Sequence, residues 1–205
     1  ASSASIHGSL LTLGELIDNS GEFMLTRYKE VCETVLGTEI TGTSEYQNIL
    51  IPWLVLTLEL KACKEDVILL LPRLAQFSPD DFVHNYLNTC MTFLFVVLKG
   101  KPEERTVAFI AVGNIAKVYF KDYKAPYLLN NCYLFSYKFV GGGPNIKPYL
   151  DAIVSNLKTA LVPKSKSFCM EAVTCVSMLA SAVGPPIQQH IHELLGTNLH
   201  SLFYF

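Results

Sequence analysis

The stretch Ile68-Leu69-Leu70-Leu71-Pro72-Arg73-Leu74-Ala75 decides the fold of this 205-residue chain. Within it the apolar residues Ile68, Leu71 and Leu74 recur at positions i, i+3 and i+6, and Pro72 stands at i+4. Side chains spaced in this way line one face of an α-helix, whereas a β-strand would alternate apolar and polar residues. The stretch therefore predicts an amphipathic helix.

The same pattern occurs again at residues 10–17, 109–116 and 173–180. In each copy a small residue takes the position of Pro72, namely Gly14, Gly113 and Ser177. Each copy is followed by a second stretch with a helical apolar face of its own, and the residues that mark these second stretches are Tyr28, Tyr86, Tyr149 and Ile191. The chain is therefore predicted to contain about four helix pairs.

The spacing between these markers is that of a helical repeat. The first helix precedes the second by 14 residues in three pairs and by 36 in the third, and the second precedes the next first helix by 44, 27 and 28 residues. The common values give a period of about 41–42 residues, within the range of HEAT and armadillo repeats. One helix pair cannot cover its own apolar face, so successive pairs stack. We predict an all-α, HEAT/armadillo-like α-solenoid of antiparallel helix pairs, forming one unit over residues 1–205, with Leu16, Leu74, Ile115 and Leu179 at equivalent core positions.

Two of these spacings are too long, by about 17 and about 22 residues. The excess falls at about 37–53 and 128–145, and residues 196–205 form an atypical tail. A Gly-Thr pair opens the break at Gly37 and the tail at Gly196, and translation of a splice-donor dinucleotide produces such a pair. Two hypotheses stay open: native insertions between helices, which a repeat array tolerates because loops lie outside the stack, and translated intron sequence.

Helix-terminus signals agree with the repeat. Ser78-Pro79-Asp80-Asp81 offers an N-cap serine, a proline at the first helical position and acidic residues in the first turn. Pro102-Glu103-Glu104 predicts another helix start, and Val183-Gly184-Pro185 predicts a helix that ends at a glycine. Ser78-Pro79 also fits a proline-directed phosphorylation site, but capping already accounts for both residues.

The bulk composition excludes several functional classes. A net charge of −2 without a basic cluster provides no attraction to nucleic acid, and no segment reaches the ~18–20 apolar residues that span a bilayer. The six cysteines form no CxxC pair and no signal peptide precedes them, so we expect buried thiols in a reducing, cytoplasmic compartment. Half of the residues are hydrophobic and the chain begins at Ala1, which we interpret as a segment of a larger protein.

No pattern of catalytic, cofactor-binding or metal-ligating residues stands out. Gly141-Gly142-Gly143-Pro144 lacks the spacing of a phosphate-binding loop, so we interpret it as a turn. In His190-Ile191-His192-Glu193 the two histidines are two residues apart and point to different sides of a helix, whereas one zinc ion on a helix needs a spacing of four. We predict that this segment is not an enzyme, with no catalytic, cofactor or metal site, and that these histidines lie on a solvated face.

The repeats resemble the N-terminal HEAT-repeat region of the target-of-rapamycin (TOR) serine/threonine protein kinases. The resemblance covers about 150 residues in one order, and it leaves out the two long spacings and the tail. It is carried by Ile6-His7-Gly8-Ser9-Leu10-Leu11, by Leu70-Leu71-Pro72-Arg73-Leu74-Ala75-Gln76-Phe77, by Glu104-Arg105-Thr106-Val107-Ala108-Phe109, and most specifically by Cys175-Val176-Ser177-Met178-Leu179-Ala180 with Gly184-Pro185-Pro186-Ile187-Gln188-Gln189 and Glu193-Leu194-Leu195.

This resemblance implies a role inside a much larger protein. The parent would be a kinase that controls growth in response to nutrients, recruited to lysosomal, vacuolar or other endomembranes, and its kinase domain is absent from this chain. The segment would act as a scaffold that contacts the remaining TOR repeats, a raptor-type subunit and the dimer mate. The alternative is a generic HEAT or armadillo adaptor, such as a nuclear-transport receptor or a phosphatase scaffold. A kinase domain in the full-length transcript would decide for TOR.

Overall fold

The computed structural model describes residues 3–36, 63–120, 140–141, 143–162, 169–187, 190 and 194. Within these residues the chain is helical except for short connections and one antiparallel pair of two-residue strands, β1 (Tyr119–Phe120) and β2 (Val140–Gly141). The predicted all-α class is therefore confirmed.

The helices alternate between two layers, as the repeat predicts. The first helices of the four pairs are α1 (Ser3–Asn19), α3 (Lys64–Phe77), α6 (Pro102–Ala116) and α9 (Met170–Val183). The second helices are α2 (Tyr28–Leu36), α5 (Leu87–Leu98) and α8 (Leu150–Ala160). The short elements between them are α4 (Pro79–Asp81), a π-helical turn (Phe82–Tyr86), α7 (Gly143–Ile146) and 3-10 turns at Gly21–Arg27, Lys147–Tyr149 and Pro185–Ile187.

The four first helices form one ladder. Helix α3 packs between α1 and α6, and α6 packs between α3 and α9. This stacking confirms the predicted helical-repeat solenoid. The predicted insertion at 37–53, most of the one at 128–145 and the tail at 196–205 lie outside the described residues, so their boundaries stay predictions.

Three of the four positions predicted to be equivalent in the core are buried: Leu74, Ile115 and Leu179. The prediction for Leu16 was wrong, because its side chain is 48% exposed and Ile17 is buried instead. The cause is the rotation of α1, which turns Gly14 toward α3, where a Cβ added to Gly14 would meet Arg73 and Leu70. Ile17 follows Gly14 by three residues and shares its side of the helix, whereas Leu16 points away.

The tyrosines that mark the second helices bind successive repeats together. The Tyr28 hydroxyl donates a hydrogen bond of 2.8 Å to the Leu74 carbonyl oxygen. The rings of Tyr28 and Tyr86 meet edge to face with centroids 6.3 Å apart. One repeat further on, the Tyr149 hydroxyl donates to Asn88 Oδ1 at 3.2 Å. These residues therefore provide contacts between neighbouring pairs as well as marking the repeat.

The predicted helix ends lie where their signals are. Pro79 and Pro102 occupy the first positions of α4 and α6, and α9 ends at Gly184, whose φ of 68° favours glycine. Ser78 takes the predicted N-cap position, but its hydroxyl donates to the Asp81 carboxylate at 2.8 Å and makes no hydrogen bond to a backbone N–H group.

Candidate functional site

A groove crosses the outer surface of the first-helix layer, and we call it the α3 groove. It has a volume of about 800 Å³ and is lined by residues of α1, α3 and α6 and by Lys117 and Val118 just after α6. Its apolar lining consists mainly of Leu10, Leu11, Leu69, Pro72, Ile110 and Ala111. Its polar lining consists of Asp66, Arg73, Gln76, Asn114 and Lys117.

Part of the apolar lining is exposed because it lies off the core stripe, whereas Ala111 is buried. The side of α3 that packs in the core is formed by Ile68, Leu71 and Leu74. A helix turns by about 100° per residue. Leu69 therefore points outward, and its side chain is 54% exposed. Leu11 on the neighbouring helix α1 is 51% exposed, so two adjacent helices present a leucine to solvent at the groove.

Contacts to α1 hold the Asp66 and Arg73 side chains along one edge of the groove. His7 Nδ1 lies 2.6 Å from Asp66 Oδ2. Arg73 Nη2 lies 2.7 Å from Asp18 Oδ2 and 3.1 Å from Glu15 Oε1. Of the three charged residues that line the groove, Lys117 alone has no ion-pair partner within the described part of the chain.

Gly14 is what allows Arg73 to lie across α1. A Cβ atom added to Gly14 would overlap the Arg73 guanidinium group. The guanidinium therefore lies against the backbone of α1, between the carboxylates of Glu15 and Asp18. This arrangement fixes the position of α1 against α3 and, with it, the edge of the groove.

The two motifs that the sequence analysis weighed and set aside lie away from this groove. Gly141 is in β2 and Gly143 begins α7. His190 is partly buried, with Nε2 at 3.5 Å from Asp151 Oδ1, so the prediction of a solvated histidine face was wrong for this residue. His192 lies outside the described residues. No three histidine, cysteine or acidic side chains come together around a possible metal position among the residues described, and the predicted lack of catalytic, cofactor and metal sites stays a prediction.

The cysteines of the described helices are buried and poorly suited to nucleophilic chemistry. Burial raises the pKa of Cys32 to about 12 and that of Cys175 to about 12. Burial also raises the pKa of Cys90. A thiol with so high a pKa remains protonated at neutral pH, and only the thiolate is a strong nucleophile or metal ligand. Cys132 lies outside the described residues.

The sequence analysis missed the α3 groove because it assigned every apolar stripe to the core. The signal was present in the apolar residues that stand off the stripe, Leu11 and Leu69. Their outward orientation depends on how α1, α3 and α6 pack, which the spacing does not define.

No helix within the described ranges is long and apolar enough to cross a lipid bilayer.

Comparison with known proteins finds serine/threonine kinases named TOR among the relatives. The chain is 35% identical over 191 residues to the serine/threonine-protein kinase TOR of rice (Oryza sativa subsp. japonica) and to that of Arabidopsis thaliana. It is 26% identical over 191 residues to the kinase tor1 of Schizosaccharomyces pombe. No protein-family model matches, and no solved structure matches significantly.

These matches cover most of this chain but a small part of each kinase. They include 93% of this chain but only 6% of the rice and Arabidopsis kinases and 7% of the Schizosaccharomyces pombe kinase. The resemblance inferred from the repeats is confirmed, and the similarity to the kinases extends across most of the chain.

Proposed function

From its similarity to a short segment of the TOR serine/threonine kinases, we propose that this chain is a non-catalytic scaffold segment of such a kinase. One observation carries the proposal: 93% of the chain matches about 6% of each plant kinase. A stack of helix pairs is the architecture expected of a segment that supports assembly. In this proposal the kinase chemistry resides in another part of the parent protein.

The scaffold would act by holding surfaces at fixed positions. The ladder of first helices is joined by a continuous core of buried apolar side chains, and close packing of this kind transmits position with little deformation. We propose that the partners are the neighbouring repeats of the kinase, a raptor-type subunit and a dimer mate. We also propose a cytoplasmic location, with recruitment of the parent to endomembranes.

The generic adaptor hypothesis has weaker support. A nuclear-transport receptor or phosphatase scaffold would share the helix pairs, but the relatives reported above are all TOR kinases. No observation on this chain favours the adaptor over the kinase scaffold.

The proposal is tested in the full-length kinase that contains this segment. Replacing residues 3–187 by a flexible linker should leave phosphorylation of a short peptide substrate within about twofold of the wild type. The same replacement should reduce assembly of the kinase complex, measured as the mass of the purified particle. Loss of peptide phosphorylation with the complex still assembled would overturn the scaffold proposal.

A second measurement concerns the segment alone. Titration calorimetry with Mg-ATP should give no saturable heat, because the segment is proposed to carry no phosphate loop and no Mg²⁺-binding carboxylates. A full-length TOR-type kinase in the same buffer is the positive control. Stoichiometric ATP binding by the segment would contradict the proposal directly.

A further inference from the structure

We propose that the α3 groove binds one amphipathic α-helix of a partner protein, with an acidic residue of that helix placed against Lys117. This inference rests on the proposed scaffold function and specifies the chemistry of one partner contact. Four features of the groove carry it: its exposed leucines, the helical backbone of most of its lining, its length, and Lys117, whose side chain has no partner among the described residues.

The apolar lining makes the groove a binding surface. Leu11 and Leu69 each expose about half of their side chains, and Leu10, Pro72 and Ile110 extend the same apolar surface. Single exposed leucines are common on soluble proteins, whereas adjacent ones in a concave surface are typical of interaction sites. Covering these side chains is the main favourable contribution that a partner can obtain here.

The backbone around the groove favours a helical partner. Most groove residues lie inside α1, α3 or α6, where interior backbone N–H and C=O groups are paired within the helix, and only Asp66 and Gln76 of the α3 residues stand in its terminal turns. An extended peptide pairs its backbone with an exposed strand edge, and the lining of this groove contains no strand. A partner that buries its own backbone against leucine side chains must pair its backbone N–H and C=O groups with each other, as an α-helix does.

The length of the groove is that of nearly three helical turns. Along α3 the lining runs from Asp66 to Gln76, which corresponds to about 15 Å at the helical rise of about 1.5 Å per residue. An amphipathic helix that uses apolar residues at i, i+3 or i+4 and i+7 spans about 10.5 Å between its first and last anchor. Such a helix fits within the groove and leaves room for one flanking charged residue.

The charges decide which flanking residue fits. Asp66 is engaged by His7, and Arg73 is engaged by Asp18 and Glu15. Lys117 is the one charged residue of the lining whose side chain has no partner among the described residues. Lys117 and Gln76 both line the groove and both stand at the C-terminal ends of their helices. An Asp or Glu on the partner helix gains a favourable interaction there, whereas a Lys or Arg is repelled.

The test uses the 205-residue chain as bait and, as the probe, a phage-displayed library of 16-residue helical peptides with an alanine- and glutamine-rich frame and randomised outer positions. Four baits are compared: the wild type, Leu69→Glu, Lys117→Glu and Val96→Glu. Val96 is a matched control, because it is an exposed apolar residue on α5, outside the groove. Circular dichroism first establishes that all four baits keep the same helix content.

We expect wild-type bait to enrich peptides with apolar residues at i, i+3 or i+4 and i+7 and with an acidic residue at one end. Leu69→Glu should lower the affinity of the bait for the selected peptides at least about tenfold, as expected for a central anchor. Val96→Glu should leave this affinity unchanged. Lys117→Glu should shift the enriched terminal residue from Asp or Glu to Lys or Arg. That exchange is a result that a purely structural role of Lys117 does not produce.

Three outcomes would overturn the inference. One is enrichment that is the same on the Leu69→Glu bait as on the wild type. Another is enrichment of extended, proline-rich peptides. The third is a concentration-dependent dimer of the chain, measured by light scattering, that disappears in Leu69→Glu and shows a second copy to be the occupant. Any of these leaves the scaffold proposal intact, because that proposal fails only on complex assembly, peptide phosphorylation or ATP binding.

Discussion

The central first helices α3 and α6 differ from the outer first helices α1 and α9 in how much of the repeated apolar pattern they bury. In α3 and α6 every residue of the pattern is buried: Ile68, Leu71, Leu74, Phe109, Val112 and Ile115. In α1, Leu16, which is equivalent to Leu74, is 48% exposed. In α9, Val173, which is equivalent to Ile68, is 42% exposed. The same sequence pattern therefore leads to two different extents of burial.

The number of neighbouring helices explains the difference. Helices α3 and α6 each pack against a first helix on both sides, whereas α1 and α9 each pack against one such helix within the described residues. In a repeat array each unit is stabilised by its nearest neighbours, so an outer helix buries only the side that faces the stack. Each of the following predictions tests this comparison.

The largest difference is expected from truncating equivalent leucines and isoleucines. Leu74→Ala and Ile115→Ala should each lower the free energy of unfolding by about 2–5 kcal/mol, because they leave a cavity in a close-packed core. Leu16→Ala should change it by less than about 1 kcal/mol, since about half of this side chain is already in water. Urea denaturation followed by circular dichroism measures all three variants.

Leu179→Ala sharpens the comparison within an outer helix. Leu179 is fully buried although α9 is an outer helix, so its truncation should resemble the central variants and not Leu16→Ala. Equal stabilities for Leu16→Ala and Leu74→Ala would show that the central and outer positions are equivalent after all.

A smaller difference is expected from two glycines. A Cβ added to Gly113 on α6 would overlap Met178 Sδ on α9, whereas the space around Gly8 on α1 is open. Gly113→Ala should therefore destabilise the chain by about 1–3 kcal/mol through overpacking. Gly8→Ala should stabilise it by about 0.5–1 kcal/mol, because alanine favours a helix interior. Thermal unfolding monitored at 222 nm measures both changes, and two shifts of the same sign would contradict the close contact between α6 and α9.

Alkaline pH tests whether the buried side of α9 is as dry as that of α2, at the other end of the described stack. Burial raises the pKa of Cys175 on α9 from 9.0 to about 12. The folded state therefore holds a proton that the unfolded state has lost between about pH 9 and pH 12. The stabilisation is complete below pH 9 and declines as the pH rises, by up to about 1.4 kcal/mol per pH unit for each such thiol.

Urea denaturation at pH 8, 9 and 10 measures this slope. Cys175→Ala should make the decline of the unfolding free energy with pH less steep, by the contribution of one thiol. Cys32→Ala should have the same effect, because burial also raises the pKa of the Cys32 thiol to about 12. An unchanged slope in Cys175→Ala would show that the inner side of α9 is hydrated.

The smallest effect is expected from the predicted insertions. Deleting residues 37–53 should change the free energy of unfolding by less than about 0.5 kcal/mol, because the length of a surface connection has little effect on stability. A loss as large as that of Leu74→Ala would place these residues in the core. Their origin is a separate question, and messenger RNA reads that run continuously through codons 37–53 and 128–145 would eliminate the translated-intron hypothesis.

Much of the helix arrangement could be predicted from the sequence because helix formation is governed locally. The three- and four-residue spacing of apolar residues identified α3, α6 and α9, and the capping residues Pro79, Pro102 and Gly184 marked helix ends. These signals act over one or two turns, and the chain displays them directly. The burial of Leu74, Ile115 and Leu179 followed from the same stripe.

The candidate site was decided by the tertiary structure alone. Arg73 meets Glu15 across 58 positions of sequence, and Tyr28 meets Leu74 across 46. The i, i+3, i+6 spacing of apolar residues indicates which side of a helix is apolar. It does not indicate which neighbouring helix will cover that side or how far each helix is rotated about its axis. The exposure of Leu16 and the outward placement of Leu11 and Leu69 depend on that rotation and on those neighbours, because burial is a property of the whole stack and not of one helix. The same holds for Lys117, whose side chain has no partner among the described residues.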